Sequence, residues 1–288
     1  MQILLIGGSG FVGRAVQEAL RSQGHAVRVL SRHPQNPDDF AGDVVSGTGL
    51  AEASRGVDAA IYLTGIIRSS REQSFTAVHV LGVEKTLKSL KSNGVERIVH
   101  MSALGASSTS SSRYFQSKAR GEELVRNSGL EWTIFQPSLI FGPGDGFFAG
   151  TLAGLVKTPL PFIPLVGKGG FKFRPVSRED VALAFAGALS RPAAGKTFQL
   201  TGPQEYSLHE LLLLVRNTLG SRKAFLPVPL PLMRIGIPLL APLPNPPITR
   251  DEFIMLLSGN TAPPEPARDF FELPMVSLEA KLPLILRP

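Results

Sequence analysis

The chain has 288 residues, of which 43% are hydrophobic and 18% charged, so it can bury a large core and is not disordered. It has no cysteine, which excludes disulfides, thiolate catalysis and cysteine metal sites and fits a reducing compartment. The net charge of +7 favours an anionic partner such as a phosphorylated cofactor or an acidic membrane surface, and the scattered basic residues disfavour nucleic acid.

The first half of the chain alternates short aliphatic runs with helical patterns. Strands are expected at 2–6, 26–30, 59–63, 97–101 and 133–135. This alternation predicts an α/β fold with a parallel sheet covered on both faces, because each parallel crossover needs a long connection. We therefore expect residues 1–140 to form a Rossmann-type, doubly wound parallel sheet domain, completed by a later strand near 197–200.

The chain start shows no targeting signal. Residues 1–6 run directly into a glycine cluster, without the basic segment that opens a signal peptide. No uncharged apolar run reaches the ~18 residues that a membrane-spanning helix needs. These features predict a cytoplasmic protein without a transmembrane segment.

The second half of the chain is richer in proline and lacks the regular alternation of strands and helices. Residues 141–288 are expected to form a smaller substrate or partner lobe interleaved with the sheet domain. Ser207 and Glu210 have the spacing of a capping box and predict a helix start. From 225 to 247, eight prolines lie among apolar residues, which predicts an irregular apolar surface segment. This segment either packs on the sheet domain or contacts a protein partner or a peripheral membrane surface.

A glycine cluster lies between the first strand and the first helix. Gly7, Gly10 and Gly13 fit GxxGxxG, whereas Gly8, Gly10 and Gly13 fit GxGxxG, so the pattern alone leaves two dinucleotide-binding families open. The position favours phosphate binding, because a turn without side chains brings backbone N–H groups and the helix dipole against a pyrophosphate. A glycine turn that binds nothing is the alternative.

The end of the second strand predicts which dinucleotide is bound. An NAD enzyme usually presents Asp or Glu here, but this chain has Ser31 and Arg32. A hydroxyl and a cation suit the 2′-phosphate of NADP(H), so NADP(H) is the expected cofactor and NAD(H) the second choice. The alternative interpretation of Arg32 is a solvated loop charge.

Tyr114 and Lys118 are four residues apart in a segment whose pattern predicts a helix ending near Gly129, so both project from one face. An ammonium beside a phenol favours the phenolate and makes the tyrosine a better acid/base near neutrality. A YxxxK pair is common by chance, and its place after a strand ending at Ser102 strengthens it.

At this point the sequence resembles the extended, atypical short-chain dehydrogenase/reductase group, which includes NAD-dependent epimerases and dehydratases. The matching segments are GGSGFVG at 7–13, YLTGI at 62–66, VERIVHMSALGA at 95–106, YFQSK at 114–118 and SGLEWTIFQPSLIFGPGDGFF at 128–148. With RPVSREDVA at 174–182 and LTGPQEYSLHEL at 200–211, it looks most like bacterial relatives of the nucleotide-binding accessory subunit of respiratory complex I. In that subgroup the fold and the NADP(H) site are kept, while turnover is often unproven.

The resemblance implies a role for each matching residue. Cofactor binding falls to Gly7, Ser9, Gly10, Phe11, Val12, Gly13, Ser31 and Arg32, with Asp43 near the adenine, Leu63, Thr64 and Gly65 beside the adenosine ribose, and Pro137 and Ser138 near the nicotinamide. Lys118 would hold the nicotinamide ribose, Tyr114 would act as general acid/base, and Ser102 would donate a hydrogen bond to a substrate oxygen. Two departures bear on these roles: His79 stands where Asn is common, and Gln136 where Arg is frequent.

Several residues also have a purely structural interpretation. Ser102 could only end a strand, Asp43 could cap a turn, Asp180 is expected to cap its helix, and His100 is expected to be a hydrogen-bonded core residue. No His and carboxylate cluster has metal-ligand spacing, so no metal is expected. No Gly-x-Ser-x-Gly elbow occurs at a strand-to-helix turn, which argues against a hydrolase triad.

The expected function is that of an NADP(H)-binding oxidoreductase that transfers hydride between nicotinamide and a carbonyl or carbinol of a small substrate that is not strongly anionic. A non-catalytic NADP(H)-binding assembly or redox-sensing protein is the alternative from another class. An NAD-dependent sugar epimerase or dehydratase is a third, but it calls for an acidic residue near position 31 or 32.

Overall fold

The computed structural model describes residues 1–34, 36, 39–70, 73–243 and 246–286. In chain order its strands are β1 (Gln2–Ile6), β2 (Ala26–Ser31), β3 (Phe40–Ala41), β4 (Ala59–Tyr62), β5 (Arg97–Met101), β6 (Glu131–Pro137), β7 (Ile140–Phe141), β8 (Phe162–Val166), β9 (Lys172–Phe173), β10 (Val176–Ser177), β11 (Lys196–Leu200), β12 (Tyr206–Ser207) and β13 (Ala224–Val228).

The helices are α1 (Phe11–Ser22), α2 (Leu50–Ser54), α3 (Gly82–Ser92), α4 (Arg113–Arg126), α5 (Ala153–Lys157), α6 (Arg178–Ser190), α7 (Leu208–Thr218), α8 (Leu230–Leu240), α9 (Arg250–Ser258), α10 (Glu265–Phe271) and α11 (Leu278–Ile285). Two short π-helical segments, Ala77–Leu81 and Phe147–Leu152, run directly into α3 and α5.

Seven strands form one parallel sheet in the order β11-β6-β5-β4-β1-β2-β3. Strand β1 lies between β2 and β4, with Ile6 opposite Leu30 on one side and Tyr62 on the other. The direction of winding reverses there, and ligands of open α/β sheets bind at such a point, outside the carboxyl ends of the strands. The predicted Rossmann-type sheet is confirmed, with the later strand β11 beside β6.

Helices cover both faces of this sheet because successive strand residues point to opposite sides. Leu4, Ile6, Ile98 and Ile134 pack with apolar residues of α2, α3 and α4 in one buried cluster. The neighbouring Phe135 points the other way and stacks on Phe185 of α6, with ring centroids 4.6 Å apart, and α6 in turn packs on α1. A fully buried parallel sheet explains the continuous aliphatic runs in the sequence.

The chain divides into two compact units. The first comprises Met1–Pro137, Arg178–Leu200 and Pro264–Pro274, and the second Ser138–Ser177, Thr201–Pro263 and Met275–Pro288. The sequence predicts a domain boundary at residue 140, with only the strand near 197–200 added to the first domain from the later part of the chain. In the structure α6 and α10 also belong to the first unit.

The second unit is built from three two-stranded sheets and α5, α7, α8, α9 and α11. Its strand pairs are β7 with β10, β9 with β12, and β8 with β13. Its core contains Phe141, Phe148 and Leu211, all buried. The predicted capping box at the start of α7 is confirmed: Ser207 Oγ accepts from the Glu210 N–H, and the Glu210 carboxylate accepts from the Ser207 N–H.

The prediction that 225–247 is irregular is wrong for much of this segment. It contains most of β13 and all of α8, and Pro244 and Asn245 lie outside the described residues. Pro231 lies in the first turn of α8, where backbone N–H groups have no helical partner, so it does not oppose the helix. Pro238 lies inside the last turn, and α8 ends two residues later.

Asp180 does not occupy the cap position that the sequence predicts. Helix α6 begins at Arg178, so Asp180 lies inside its first turn, and it is fully buried. In the part of the chain that the structure describes, no helix combines the length and apolar character needed to cross a bilayer.

Candidate functional site

The turn between β1 and α1 is shaped by two glycines. Gly7 has φ +84°, and a Cβ there would lie 2.9 Å from Thr64 Oγ1. A Cβ on Gly13 would lie 2.4 Å from the carbonyl oxygens of both Gly7 and Gly8. Such distances are far below van der Waals contact, so side chains at 7 and 13 would force the turn apart. The glycine pattern therefore reflects close backbone packing.

Gly10 has a different role in the same turn. Its φ of −73° suits any residue, and a Cβ there would meet only the Gly7 carbonyl oxygen, at 3.3 Å. Gly10 is the N-cap of α1, and no described side chain caps that helix. The N–H groups of the first turn, which includes Phe11 and Val12, therefore have no side-chain acceptor at the N-cap. Helix N-termini of this kind bind phosphate.

Ser9 joins this turn to the end of β2. Ser9 Oγ and Ser31 Oγ are 2.8 Å apart, and Ser31 Oγ also accepts from the His33 N–H at 3.2 Å. The next residue, Arg32, is exposed at the carboxyl end of β2. The positively charged Arg32 is therefore next in the chain to Ser31, whose hydroxyl contacts Ser9 of the glycine turn.

Two further arginines lie at the turn, and the sequence analysis missed both. Arg14 is exposed in the first turn of α1, and its Nε donates to the Ser9 carbonyl oxygen at 3.1 Å. The Arg178 guanidinium carbon lies 5.3 Å from the ring centroid of Phe11. Arg14 directly follows Gly13, so its position next to the glycine pattern could have predicted a cation at the turn. Arg178 is distant in the chain, so only folding brings it here.

Asp43 lies beyond the end of β2, where the Gly42 N–H donates to the Ser31 carbonyl oxygen. Its Oδ1 accepts from the Val45 N–H at 2.8 Å, and its backbone bridges to Thr48. The carboxylate therefore holds a turn, as in the structural interpretation, next to the strand end where the adenine was expected.

The segment after β4 connects the glycine turn with Lys118. The Leu63 N–H donates to the Ile6 carbonyl oxygen, and Thr64 closes on Gly7. A Cβ on Gly65 would lie 3.1 Å from Lys118 Nζ. A strip of backbone formed by Leu63, Thr64 and Gly65 therefore lies between the glycine turn and the buried ammonium of Lys118.

Tyr114 and Lys118 project from one face of α4, as predicted. The helix begins after Ser112, whose hydroxyl accepts from the Phe115 N–H, and it ends at Arg126 before the turn at Gly129. Lys118 is buried, and its Nζ donates to the Met101 carbonyl oxygen at 3.1 Å. Tyr114 is half-buried, with its ring edge-on to His79 and Phe75.

The two side chains titrate away from their ordinary ranges because both are shielded from water. Burial lowers the pKa of Lys118 to about 8, against the opposing effect of the Glu122 carboxylate. Burial raises the pKa of Tyr114, so the phenol stays protonated near neutral pH. The sequence predicts that the Lys118 ammonium favours the phenolate, but in the structure desolvation is the dominant effect on the Tyr114 pKa. The protonated form of Tyr114 is the one that can donate a proton.

Ser102 directly follows the residue that Lys118 contacts. Its backbone N–H donates to the Phe135 carbonyl oxygen at 2.7 Å, and its side chain is buried. Ser102 Oγ has no hydrogen-bond partner among the described residues. A buried hydroxyl left in this state costs free energy unless a ligand satisfies it, which fits a group that receives a substrate oxygen.

His79 holds the strip at 63–65 to α4. Its Nε2 accepts from the Ile66 N–H at 3.0 Å, and its Nδ1 lies 2.8 Å from Ser117 Oγ. Burial, with the nearby charges of Lys118 and His100, lowers the pKa of His79 to about 2, so the ring is neutral. Since Nε2 accepts, the proton is on Nδ1 and is donated to Ser117, which donates to the Tyr114 carbonyl oxygen.

His100 differs from its sequence-based interpretation. It is buried in β5, with its ring centroid 5.5 Å from that of Tyr62, but neither ring nitrogen has a hydrogen-bond partner within the described residues. Burial and the charges of Lys118 and Arg126 lower the pKa of His100 to about 3. It is thus a neutral core residue, but not the hydrogen-bonded one expected.

The remaining site residues lie at the end of β6. Pro137 ends the strand and accepts from the Leu104 N–H, whereas Ser138 begins the second unit and donates to the Asn260 carbonyl oxygen. Gln136, which stands where Arg is frequent, donates to Glu122 at 2.7 Å and is held there. Across the described ranges, no three His, Asp or Glu side chains meet as metal ligands.

Comparisons with known proteins agree with this geometry. Residues 7–192, which include the glycine turn, Tyr114 and Lys118, match the NAD(P)H-binding family. A solved dTDP-glucose 4,6-dehydratase of Streptomyces venezuelae with NAD bound superimposes with a TM-score of 0.76 at 22% identity, over 100% of this chain and 96% of that one. At that identity the likeness shows the fold.

Three curated relatives are similar over most of this chain. The mitochondrial NADH dehydrogenase [ubiquinone] 1 alpha subcomplex subunit 9 of Arabidopsis thaliana is 29% identical over 96% of this chain and 74% of its own length. The same subunit of Mus musculus is 33% identical over 79% of this chain, which spans 63% of the mouse protein. The 2-alkyl-3-oxoalkanoate reductase of Stenotrophomonas maltophilia is 27% identical over 98% of this chain and 97% of its own.

The relatives include both complex I subunits and a reductase, so they establish the binding domain and leave the reaction open. The glycine turn with its uncapped helix, the strip at 63–65 and the buried lysine all lie within residues 7–192. With the match over 7–192, they show that the chain is an NAD(P)-binding Rossmann protein with an oxidoreductase-like fold and belongs to the NAD(P)H-binding family.

Proposed function

We propose that the protein is an NADP(H)-dependent reductase of a small carbonyl compound. The observation that carries this proposal is the meeting of Lys118, Ser102 and the strip at 63–65 at the carboxyl ends of β4 and β5. A structural lysine would be expected at the surface, because burying an ammonium is costly. Here the ammonium lies beside the strip at 63–65 and donates to the carbonyl oxygen of Met101, the residue before the unpartnered hydroxyl of Ser102.

NADP(H) is favoured over NAD(H) by the charge at the glycine turn. Arg32 follows β2 where an NAD enzyme has a carboxylate, and Arg14 lies against Ser9 in the same turn. Guanidinium groups form charge-assisted hydrogen bonds with phosphate, and a 2′-phosphate is the group that distinguishes the two cofactors. We assign Arg32 to that phosphate, with Arg14 as a second contributor.

In the proposed reaction the bound dinucleotide supplies the hydride that reduces the substrate carbon. Ser102 Oγ donates a hydrogen bond to the substrate oxygen and orients it. Tyr114, held protonated by burial, donates its proton to the same oxygen as negative charge develops there. Lys118 binds the nicotinamide ribose and supplies positive charge close to that oxygen. Its pKa of about 8 keeps most of the ammonium protonated at neutral pH.

The substrate proposed is of low polarity. Gln136 is bonded to Glu122, so this position does not offer the cation that would suit an anionic substrate. The Stenotrophomonas relative is named as a reductase of 2-alkyl-3-oxoalkanoates, and a Caulobacter vibrioides relative, 25% identical over 80% of this chain, as a ceramide reductase. Both names describe molecules with aliphatic chains, and an oxoalkanoate also carries a carboxylate, so these relatives support the aliphatic character of the substrate and not its lack of charge.

The rival proposal is a cofactor-bound assembly or redox-sensing protein that does not turn over. The complex I relatives favour it, as does His79, which stands where Asn is common. His79 still has a clear structural role, because its two ring nitrogens join the Ile66 backbone to α4. We assign it as a positioning residue that keeps the strip at 63–65 beside Lys118.

Replacing Gly10 by Val tests the phosphate turn. A Cβ at Gly10 would meet the Gly7 carbonyl oxygen at 3.3 Å, which needs a small shift of the turn, and the rest of the side chain would occupy the space where a pyrophosphate approaches α1. We expect NADPH affinity to fall by more than about 100-fold, because several backbone hydrogen bonds to the pyrophosphate would be lost together. Calorimetry with NADPH measures the loss. Gly146→Val, at another open helix N-cap, is the matched control and should bind as wild type. A folded Gly10→Val protein with unchanged affinity would contradict the assignment.

Replacing Arg32 by Ala tests the cofactor choice. Losing a charge-assisted contact costs about 1.5–3 kcal/mol, so NADPH affinity should fall roughly 10- to 150-fold while NADH affinity stays the same. Arg21→Ala removes an exposed arginine in the last turn of α1, away from the end of β2, and is the control. Equal affinities of the wild-type protein for NADPH and NADH would show that the phosphate is not recognised.

Replacing Tyr114 by Phe separates enzyme from binder. The ring stays and only the proton-donating hydroxyl is lost, so NADPH affinity should persist while carbonyl reduction slows by about 10²- to 10⁴-fold. Lys118→Ala should reduce affinity and rate together. A panel of aliphatic ketones followed by NADPH absorbance supplies the rates, with Tyr206→Phe as the control tyrosine. Undiminished turnover in Tyr114→Phe rejects this mechanism, and tight NADPH binding without any turnover in wild type favours the rival proposal.

Replacing His79 by Ala tests the positioning role. The Ile66 N–H and Ser117 would lose a buried partner, which should lower the free energy of unfolding by about 1–3 kcal/mol and also weaken NADPH binding. Thr86→Val is the control, because it also removes a buried hydrogen bond, from Thr86 Oγ1 to the Gly82 carbonyl oxygen. Denaturant unfolding and fluorescence titration measure both effects. If the two variants lose stability and affinity in equal proportion, His79 has no specific link to the cofactor strip.

A further inference from the structure

Helix α8 is apolar on two opposite faces. Leu230, Met233 and Ile237 follow the i, i+3, i+7 spacing of one face, where Ile237 is buried and Leu230 packs beside Gly167. The opposite face consists of three exposed aliphatic side chains: Leu232 is 61% exposed, Ile235 65% and Leu239 74%. These three also share one side of the helix, as residues three and four positions apart do. The second unit therefore exposes an aliphatic ridge.

More exposed leucines lie close to this ridge in the chain. Leu240, the last residue of α8, is 41% exposed, Leu243 just beyond the helix is 49% exposed, and Leu226 in β13 is 46% exposed. A single exposed leucine is ordinary on a soluble protein, but a contiguous series of this kind marks an interaction surface. A partner that covers it must accept aliphatic groups.

The chain segment that contains the ridge carries charge of one sign, up to Asp251 and Glu252 in the first turn of α9. Residues 211–250 contain five Lys or Arg residues and no Asp or Glu. Arg222, Arg234 and Arg250 are exposed, and Arg234 lies on α8 itself. Lys168, also exposed, is in the turn where the Gly167 N–H donates to the Val228 carbonyl oxygen, just before α8. By contrast, Lys223 is held inside the unit by the carbonyl oxygens of Val156 and Thr158. The exposed cations are thus available to an anionic partner.

The combination favours a lipid surface over a protein. A second copy of this chain would bring the same cations face to face, which opposes self-association. The region 230–243 has no Trp, Tyr or Phe, the residues that usually anchor protein interfaces together with Arg. An aliphatic ridge flanked by Arg and Lys matches a bilayer interface, where acyl chains meet anionic headgroups.

The geometry also says how the helix meets a bilayer. Its 11 residues span about 16 Å, roughly half of the ~30 Å hydrocarbon core, and Arg234 is exposed at its middle. We propose that α8 lies in the surface of an anionic phospholipid bilayer, with Leu232, Ile235 and Leu239 inserted and the exposed arginines at headgroup phosphates. The binding is peripheral and is independent of the nucleotide site.

Vesicle co-sedimentation of the full chain tests this proposal. The vesicles are phosphatidylcholine alone, or phosphatidylcholine with about 30% phosphatidylglycerol. We expect wild type to sediment with the anionic vesicles and to be released when NaCl rises from about 50 mM to about 500 mM. The triple variant L232Q/I235Q/L239Q should bind at least about tenfold more weakly, because the inserted aliphatic groups are lost. Arg234→Glu should weaken binding to anionic vesicles in particular.

Leu284→Gln is the matched control, because Leu284 is 52% exposed on α11 in the same unit, and its binding should equal that of wild type. All substitutions are at exposed positions, and unchanged thermal melts and NADPH affinity verify the fold. Three results would overturn the proposal: wild type that ignores anionic vesicles at low salt, a triple variant that sediments like wild type, or an equal loss in Leu284→Gln. Light scattering that finds a wild-type dimer, dissociated by the triple variant, would assign the ridge to a second copy instead.

Discussion

The nucleotide end of this protein depends on one close backbone contact. Gly13, in the first turn of α1, lies so near the carbonyl oxygens of Gly7 and Gly8 that a Cβ would be 2.4 Å from each. This contact aims the N-terminus of α1 at the carboxyl edge of the sheet, with no described side chain capping it. The same turn also places Thr64 against Gly7. Because the strands are parallel, the ends of β1, β2 and β4 lie along one edge, so the phosphate turn, Ser31 and the strip at 63–65 come together.

A second constraint is the burial of charge beside that edge. Lys118 is buried with the Met101 carbonyl oxygen as acceptor, and two neutral histidines lie in the same region of the first unit. Desolvation lowers the pKa of the lysine and raises that of Tyr114, so the pair is kept as an ammonium that can lose its proton near pH 8 and a phenol that retains its own. Perturbed groups of this kind are typical of functional sites. Both proposed functions, reductase and non-catalytic binder, use the ammonium, and only the reductase uses the phenol.

The second unit differs physically from the first. Its strands pair only in twos, and its core is formed by helices α5, α7 and α11 with aromatic residues such as Phe141 and Phe148. Small layers cannot bury every apolar residue of a proline-rich segment, and on one side of α8 three aliphatic side chains remain exposed. The curated relatives include NADH dehydrogenase subunits as well as reductases, so relatives with the same binding fold carry different functions.

The sequence by itself determined what depends on local pattern: the strand series, the phosphate turn, helix α4 with Tyr114 and Lys118, and the capping box of α7. These follow from side-chain periodicity, glycine geometry and hydrogen bonds within a few residues. Tertiary structure decided the rest. Arg178 reaches Phe11, and His79 joins Ile66 to Ser117, only because distant segments pack together. Helix α8 forms despite its prolines because they lie in its first and last turns, and burial in β5 leaves both ring nitrogens of His100 without hydrogen bonds among the described residues. The direction of the Tyr114 pKa shift was also a tertiary outcome, since desolvation is set by everything that surrounds the ring rather than by the lysine four residues away.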